Sequence, residues 1–375
     1  MILKNVLPSR FLCNTLKSNL FNSCRAMSTE EDVIFESIKN IGVITLNRPK
    51  ALNALNLPMV RKISSKLTEW ENQKSFVIIK GSGEKAFCAG GDVRAIAESG
   101  LKGGKLGYEF FREEYQLNGF IGNYKVPYIA LIDGIVMGGG VGLSVHGTYR
   151  VATERTLFAM PETLIGLFPD VGVSYVLSRL KGNLGIYLAL TGYRLKGSDV
   201  LHSGIATHYS NSKEMPELKS ALLNCTNESD IVKTLKQFSK PEQAFSLAPV
   251  LTKIDKCFGA ATIELILKAL AEDGSEWAQS TISTLSKMSP SSLKISLKVL
   301  HGAAKLSLRE CLQMDYRVAS GCLKNKDFYE GVRALLIDKD QKPLWNPPVL
   351  DLVSDEIVDS YFVKLSEDKE LRMKL

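Results

Sequence analysis

The chain has 375 residues, of which 45% are hydrophobic and 23% charged, and its formal net charge is +7. This composition is typical of a globular protein with a sizeable buried core, and no stretch reaches the roughly 18 consecutive apolar residues of a membrane-spanning helix. The basic excess does not indicate nucleic-acid binding, because residues 1–29 contain four of the 47 basic residues and none of the 40 acidic ones, which leaves only +3 for the remainder.

The first 29 residues are predicted to be a mitochondrial transit peptide. Lys4, Arg10, Lys17 and Arg25 alternate with apolar residues at roughly helical spacing, and the segment contains no acid. Acid-free amphipathic segments of this kind are typical of transit peptides, which are removed from the mature protein. A disordered basic tail is the alternative. The prediction places the mature protein in the mitochondrial matrix, with its first residue near Glu30.

The cysteines that follow this segment are predicted to be free thiols. They are odd in number and have no CxxC spacing, as expected of a protein in a reducing compartment. They are Cys88, Cys225, Cys257, Cys311 and Cys322.

After the N-terminal segment, strand patterns alternate with glycine-rich chain and helical patterns. Val33–Ile38 and Val43–Leu46 are predicted strands joined by a turn at Asn40–Gly42. Pro58 is predicted to begin a helix, because the apolar residues from Val60 to Trp70 recur on one helical face. Two further predicted strands, each followed by glycine-rich chain and a helical pattern, are Phe76–Ile79 and Tyr128–Ile132.

From about Leu184 onward the sequence pattern is mostly helical, with helices predicted over 262–270, 291–300 and 308–320. Strand, glycine-rich turn and helix in repetition indicate an α/β protein whose loops gather at the strand ends. We therefore predict an α/β core over residues 30–230 and a helical C-terminal region over residues 231–375.

Several common catalytic motifs are missing from the sequence. There is no phosphate-binding P-loop motif, and Gly142–Gly147 is one residue out of register for the nucleophile elbow of serine hydrolases. The four histidines have no metal-ligand spacing. We therefore predict neither a metal site nor a serine triad.

Two glycine-rich loops, Phe87–Asp92 and Met137–Gly142, each follow an apolar strand. Glycine lets a ligand approach the backbone closely, and free N–H groups can stabilise negative charge. If the loops face each other, they could place two N–H donors on one carbonyl oxygen, which is an oxyanion hole. The alternative is that the glycines only permit tight packing between strands and helices.

A third segment, Met160–Asp170, carries two carboxylates in otherwise apolar sequence, Glu162 and Asp170. A buried carboxylate is costly unless it is paired or functional, so the two are candidate catalytic groups with divided roles. The alternative for Asp170 is an N-cap at the start of a helix over 173–180.

Taken together and in this order, these segments resemble the crotonase (enoyl-CoA hydratase/isomerase) superfamily. The resemblance covers nearly all of the chain after about residue 32. It implies a spiral core of repeated β-β-α units, with C-terminal helices that cover the active site. The segments that carry it are Gly42–Leu55, Phe111–Tyr115, Gly142–Gly147, Pro161–Thr163, Gly166–Asp170 and Glu330–Ala334.

The resemblance assigns roles to both glycine-rich loops. It implies that the backbone N–H groups of Ala89 and Gly139 form an oxyanion hole for the carbonyl oxygen of a thioester. It also implies that the loop around Ala89, Gly91 and Asp92 binds coenzyme A. The coenzyme is part of the substrate, so no separate cofactor is expected.

The resemblance further implies that Glu162 and Asp170 are the catalytic carboxylates and that Glu114 contacts the substrate; a solvated charge is the alternative for Glu114. Hydratases of this superfamily use a second glutamate at a position that is Gly142 here. Because glycine has no carboxylate, the resemblance favours hydrolysis, with Glu162 acting either as a nucleophile that forms an anhydride or as a general base for water.

The expected reaction is the hydrolysis of a thioester of coenzyme A with a short branched 3-hydroxyacyl group, 3-hydroxyisobutyryl or also 3-hydroxypropionyl, in valine catabolism. The expected partner is thus a small-molecule acyl-CoA rather than nucleic acid or a membrane, and a homo-oligomer is compatible with the sequence. The alternatives are an enoyl-CoA hydratase or isomerase, and a non-catalytic relative that binds coenzyme A or RNA.

A chain that lacks residues 1–29 is expected to keep full thioesterase activity, because a transit peptide is not part of the fold. The measurement compares the release of free coenzyme A thiol by the shortened and full-length proteins. Loss of hydrolysis by a shortened protein that still folds would contradict the prediction.

Overall fold

The computed structural model describes residues 31–240 and 243–373, so the predicted transit peptide lies outside the described residues. The described strands, numbered β1–β10 in chain order, are Val33–Ile38, Ile41–Leu46, Phe76–Gly81, Ala86–Cys88, Tyr128–Ile132, Ile135–Met137, Tyr149–Ala152, Leu157–Ala159, Leu195–Lys196 and His208–Tyr209.

The described α-helices are numbered α1–α16 in chain order. Pro58 lies in the first turn of α1, as predicted, and Asn56 caps that helix by accepting a hydrogen bond from the Met59 N–H. The helices are Leu57–Trp70, Val93–Leu101, Leu106–Gly122, Gly139–Gly142, Val173–Leu177, Leu184–Thr191, Asp199–His202, Met215–Leu222, Glu228–Phe238, Leu251–Phe258, Ile263–Asp273, Glu276–Leu285, Pro290–Ala303, Leu308–Cys322, Lys326–Val332 and Asp355–Ser360.

The strands form two sheets that the chain visits alternately. One sheet has the order β1-β2-β3-β5-β7-β10 and the other the order β4-β6-β8-β9. Strands β3, β5 and β7 lie parallel in the first sheet, and the strands that follow them, β4, β6 and β8, lie parallel in the second. Each turn of the chain therefore adds one strand to each sheet. This spiral of β-β-α units confirms the predicted fold class.

The central strands β2, β3 and β5 of the six-stranded sheet are largely buried on both faces, which explains why they are mostly apolar. All four residues of Phe76–Ile79 are fully buried. Val77 and Ile79 belong to the main core, whereas Phe76 and Ile78 face a second cluster that includes residues of α8 and α9. The five cysteines predicted to be free are unpaired and buried.

The turn between β1 and β2 differs from the prediction. It lies at Lys39–Asn40, and Gly42 is inside β2. A Cβ on Gly42 would overlap the indole ring of Trp70. The glycine is thus required by the close approach of α1 to the sheet and not by the turn.

The segment before α1 holds the first glycine-rich loop in place. The buried side-chain amide of Asn53 donates hydrogen bonds to the carbonyl oxygens of Ser82 and Ala86, at 2.9 and 2.8 Å. The backbone of Leu55 accepts a bond from Asp92 N–H and donates one to Gly90 O, both at 2.8 Å. The loop therefore has a fixed backbone before any ligand binds.

The C-terminal helices pack directly on the segment that contains Glu162. A Cβ on Gly166, which has φ +69°, would be 2.6 Å from the Phe328 backbone N and would overlap the Asp327 backbone. A Cβ on Gly331 would overlap the backbone of Ile165. Helix α15 thus lies against this segment at backbone-to-backbone distance, which only glycine permits.

The described residues from Asp32 onward form one compact unit. After β10 the described elements are helical, and the three helices predicted in this region are confirmed as α11, α13 and α14. A division at residue 230 stays a prediction. Within the described residues, no helix is long and apolar enough to cross a membrane.

Gly166→Ala is expected to destabilise the protein more than Gly103→Ala. Both glycines have positive φ, at +69° and +75°, so both substitutions introduce the same kind of backbone strain. A Cβ on Gly103 meets nothing within 4 Å, whereas one on Gly166 must displace α15. Urea unfolding should show an additional loss of about 1–3 kcal/mol for Gly166→Ala, the range of overpacking in a core. Equal losses for the two variants would contradict the close packing.

Candidate active site

A cavity of about 490 Å³ lies between the glycine-rich loops, α3 and the C-terminal region. Its size suits a small organic group. Its polar side chains include Glu114, Glu162, Asp170 and Arg194, and its apolar wall includes Phe110, Phe111, Leu335 and Leu336. The structure thus brings together all the residues that the sequence analysis proposed for the site except Asp92. The lining residues proposed from sequence are Ala89, Gly91, Glu114, Gly139, Glu162 and Asp170.

Glu114 is buried in the wall of the cavity, on the inward face of α3. Its side chain is only 1% exposed, and Oε1 has no hydrogen-bond partner among the described residues. Burial raises its pKa well above the usual value, and the charges of Asp170 and Glu162 raise it further. The alternative that Glu114 is a solvated charge is wrong. Its neighbour Glu113 fits that description and forms an ion pair with Arg61 at 2.6 Å.

Glu162 begins a 3₁₀ turn, Glu162–Ile165, that directly follows Pro161. The side chain is 6% exposed, and its Oε2 atom has no hydrogen-bond partner among the described residues. Its Oε1 atom would be 3.1 Å from a Cβ on Gly138, so the carboxylate lies against the second glycine-rich loop. Burial, and then the charge of Asp170, raise the pKa of Glu162 well above its usual value.

Asp170 is not the helix N-cap that the sequence suggested as an alternative. Helix α5 begins at Val173, its cap position is Gly172, and no side chain caps it. The Asp170 carboxylate instead accepts a hydrogen bond from the Tyr115 hydroxyl, at 2.6 Å. Burial raises the pKa of Asp170 to about 6, although this hydrogen bond acts in the opposite direction. Tyr115 directly follows Glu114 in α3, so this helix contacts Asp170 and also places Glu114 in the cavity wall.

One of the two predicted oxyanion donors is already used within the protein. The Ala89 N–H already donates to the Leu52 carbonyl oxygen, at 3.0 Å. Among the described residues, no acceptor is found for the N–H of Gly91 or Gly139. A Cβ on Gly139 would be 3.3 Å from the Gly91 nitrogen, so Gly139 lies close to the amide of Gly91. Gly91, rather than Ala89, has the free donor beside Gly139.

Asp92 lies next to the cavity but is not part of its lining. It caps α2 by accepting a hydrogen bond from Ala95 N–H, at 3.4 Å, and it lies 3.5 Å from the guanidinium of Arg48. Its carboxylate is therefore used to start a helix and to neutralise a cation.

Gly142 packs closely against the side chains of Asn118 and Val171. A Cβ at this position would be 2.7 Å from the side-chain nitrogen of Asn118 and 2.8 Å from the Cβ of Val171. Both are tighter than side chains tolerate. The sequence has no carboxylate at this position, and the fold leaves no space for a glutamate there.

Three contributions to the site were not predicted from the sequence. Tyr115 provides the hydrogen bond to Asp170, Arg194 is a cation in the cavity wall, and the C-terminal residues Leu335 and Leu336 complete the apolar side. Tyr115 lies in the segment Phe111–Tyr115, one of those that carry the resemblance, and this was the available signal for it. In the part of the chain that the structure describes, no group of three or more His, Cys, Asp or Glu residues is arranged to hold a metal ion.

The sequence matches the enoyl-CoA hydratase/isomerase family over residues 41–362. The chain belongs to this family. It is 55% identical over 333 residues to the 3-hydroxyisobutyryl-CoA hydrolase, mitochondrial, of Xenopus tropicalis, which covers 86% of each chain. It is 48% identical over 361 residues to the protein of the same name from Homo sapiens, covering 94% of this chain and 93% of the human one.

A solved structure in the same family has a closely similar fold. It is described as a carnitinyl-CoA dehydratase from Mycobacterium thermoresistibile, and it is 38% identical to this chain. The match covers 92% of this chain and 99% of that one, with a TM-score of 0.86. The enoyl-CoA hydratase/isomerase family therefore includes similar folds with differently named activities, so the reaction must be argued from the site.

Asp170→Asn is expected to make folding stability less dependent on pH. The pKa of Asp170 is raised from 3.8 to about 6, so the folded protein binds this proton more tightly than the unfolded chain does. The contribution of Asp170 to the free energy of unfolding is then greatest below about pH 4 and is lost as the pH rises to about 6.

The measurement is urea unfolding of the wild type and Asp170→Asn across this pH range. Because the Asp170 charge also raises the pKa of Glu114 and of Glu162, the difference between the two curves reports Asp170 together with its effect on these two groups. Parallel curves would show that the carboxyl group is not perturbed by burial.

Proposed function

We propose that this protein hydrolyses 3-hydroxyisobutyryl-CoA to 3-hydroxyisobutyrate and free coenzyme A in the mitochondrial matrix, as a step of valine catabolism. The names of its relatives at 48–55% identity support the substrate and the compartment. The observation that carries the reaction type is the space around Gly142, where Asn118 and Val171 leave no room for a second catalytic glutamate.

In the proposed reaction, the thioester carbonyl oxygen accepts hydrogen bonds from the N–H groups of Gly91 and Gly139. These donors are fixed by the backbone before the substrate binds, so they stabilise the oxyanion without reorganisation. The carbonyl carbon then lies beside Glu162, whose carboxylate is next to the same glycine loop. A residue larger than glycine at position 139 would displace the Glu114 carboxylate as well as the oxyanion donor.

Two routes are compatible with this arrangement. In the first, a Glu162 oxygen attacks the carbonyl carbon, the C–S bond breaks, the thiolate takes a proton, and water then hydrolyses the mixed anhydride. In the second, Glu162 takes a proton from water, which attacks the carbonyl carbon directly. A single turnover in ¹⁸O-labelled water distinguishes them, because only the anhydride route can leave the label in the Glu162 carboxylate.

The other polar groups are proposed to hold the acyl part and the coenzyme. Glu114, whose raised pKa favours the protonated form, is suited to bind the 3-hydroxyl group of the substrate. Asp170 orients the reacting groups, and its negative charge raises the pKa of Glu162. The backbone around Ala89 and Gly91 is proposed to contact coenzyme A, with Asp92 at the edge of that surface.

A second candidate function, hydration of an enoyl-CoA, is favoured by one observation: the structure with a TM-score of 0.86 is described as a dehydratase. The two candidates are separated by assaying the purified protein on crotonyl-CoA for hydration and on 3-hydroxyisobutyryl-CoA for thiol release. Hydration without thiol release would overturn the proposed function. Turnover of 3-hydroxypropionyl-CoA, measured alongside, defines how selective the acyl pocket is.

Glu162→Gln is expected to lower kcat for thiol release by roughly 10²–10⁴-fold, because the amide keeps the shape of the side chain but cannot act as nucleophile or base. Glu113→Gln is the matched control, since Glu113 points away from the cavity and pairs with Arg61. That control should keep wild-type activity. Activity near the wild-type level in Glu162→Gln would exclude Glu162 as the reacting carboxylate.

A further inference from the structure

The turn that contains Asp170 is held from two sides by buried side chains that come from distant parts of the sequence. On one side, Tyr115 of α3 donates its hydroxyl to the Asp170 carboxylate, at 2.6 Å. On the other side, Asp315 of α14 accepts a hydrogen bond from the Gly172 N–H, at 2.7 Å. The turn that carries Asp170 is therefore also contacted by a residue of the C-terminal region, 145 positions from Asp170 in sequence.

The backbone of this turn is strained, although one backbone hydrogen bond of its own closes it, at 3.0 Å. Val171 has φ +55°, a conformation that is rare for a β-branched residue, and Gly172 follows with φ +72°. The imidazole of His146 forms a hydrogen bond to the Val171 carbonyl oxygen, at 2.7 Å. A strained backbone of this kind persists only where the surrounding structure fixes it. Among the described contacts, the Asp315 bond fixes the far end of the turn.

Among the described residues, the only hydrogen bond found for the Asp315 carboxylate is the one to this turn. The side chain is fully buried, and its Oδ1 atom has no hydrogen-bond partner among the described residues. An unpaired buried carboxylate oxygen is costly. Asp315 is not part of the cavity lining, so the residue does not reach the substrate.

We infer that Asp315 is a positioning residue for the reaction: through its hydrogen bond to Gly172 it holds the 170–172 turn so that Asp170 faces Glu162. This inference rests on the proposed function. The C-terminal helices then do more than cover the cavity. Helix α14, through a residue outside the cavity lining, also orients the carboxylate of Asp170.

The test compares Asp315→Asn with Asp315→Leu. Asparagine keeps an oxygen that can accept the Gly172 N–H, and burial with the nearby Asp170 charge raises the pKa of Asp315, so a neutral amide is a close match. Leucine keeps the volume but removes the acceptor. Asp315→Asn should retain most of kcat, whereas Asp315→Leu should lose roughly 10–100-fold in kcat with KM nearly unchanged, as expected when a reacting group is misplaced by up to about 1 Å.

Asp199→Leu is the matched control, because Asp199 is also a buried aspartate that accepts a backbone N–H, that of Ser246, at 2.9 Å. It is expected to destabilise the protein without changing kcat at temperatures where it is folded. Equal losses of kcat in Asp315→Leu and Asp199→Leu would mean that the effect is general destabilisation, and would overturn the inference.

A double-mutant cycle provides the second readout. If Asp315 acts through Asp170, then Asp315→Leu should cost little more in a protein that already carries Asp170→Asn, whereas independent effects add. Full additivity would overturn the positioning role. Failure of the proposed function is distinguishable, because in that case Glu162→Gln and Asp170→Asn would themselves leave thiol release unchanged.

Discussion

Three carboxylates buried around one cavity are the constraint on which the rest of this structure depends. Glu114, Glu162 and Asp170 are each almost inaccessible to solvent, and burial raises the pKa of all three. Such an arrangement opposes folding when the groups are ionised, so it must be held by the surrounding structure. The protein does this with a spiral core on one side and C-terminal helices on the other. Raised pKa values of this kind, in groups that line one cavity, are typical of functional sites.

The spiral core and the C-terminal helices contact each other through closely packed backbone. Gly166 and Gly331 let α15 pack against the backbone of the Glu162 turn, and Gly139 leaves room for Glu114 beside the proposed oxyanion donors. Rigid backbone contact suits catalysis, because preorganised donors need not move as charge develops. The hydrogen bond between Leu52 and Ala89 serves the same purpose, since it fixes the loop that presents Gly91.

Much of the fold could be predicted because it depends on local pattern. The apolar run Phe76–Ile79 and the proline at the start of α1 predicted their elements, since periodicity and backbone preference act over a few residues. The glycine at position 142 already argued against hydration. Gly42 shows the limit of this reasoning. Its turn-like composition indicated a loop, but a ring from α1, distant in sequence, decided that the position must be glycine.

The sequence by itself determined which residue types meet: two glycine loops, the carboxylates at 114, 162 and 170, and membership of a family with a common spiral fold. Only the tertiary structure decided which backbone amide is free, because the Ala89 N–H is used by Leu52 and the Gly91 N–H is not. It also decided that Asp170 binds Tyr115 instead of capping a helix. The physical reason is that a hydrogen-bond partner is chosen by proximity in three dimensions, and spacing along the chain does not encode which distant segment arrives there.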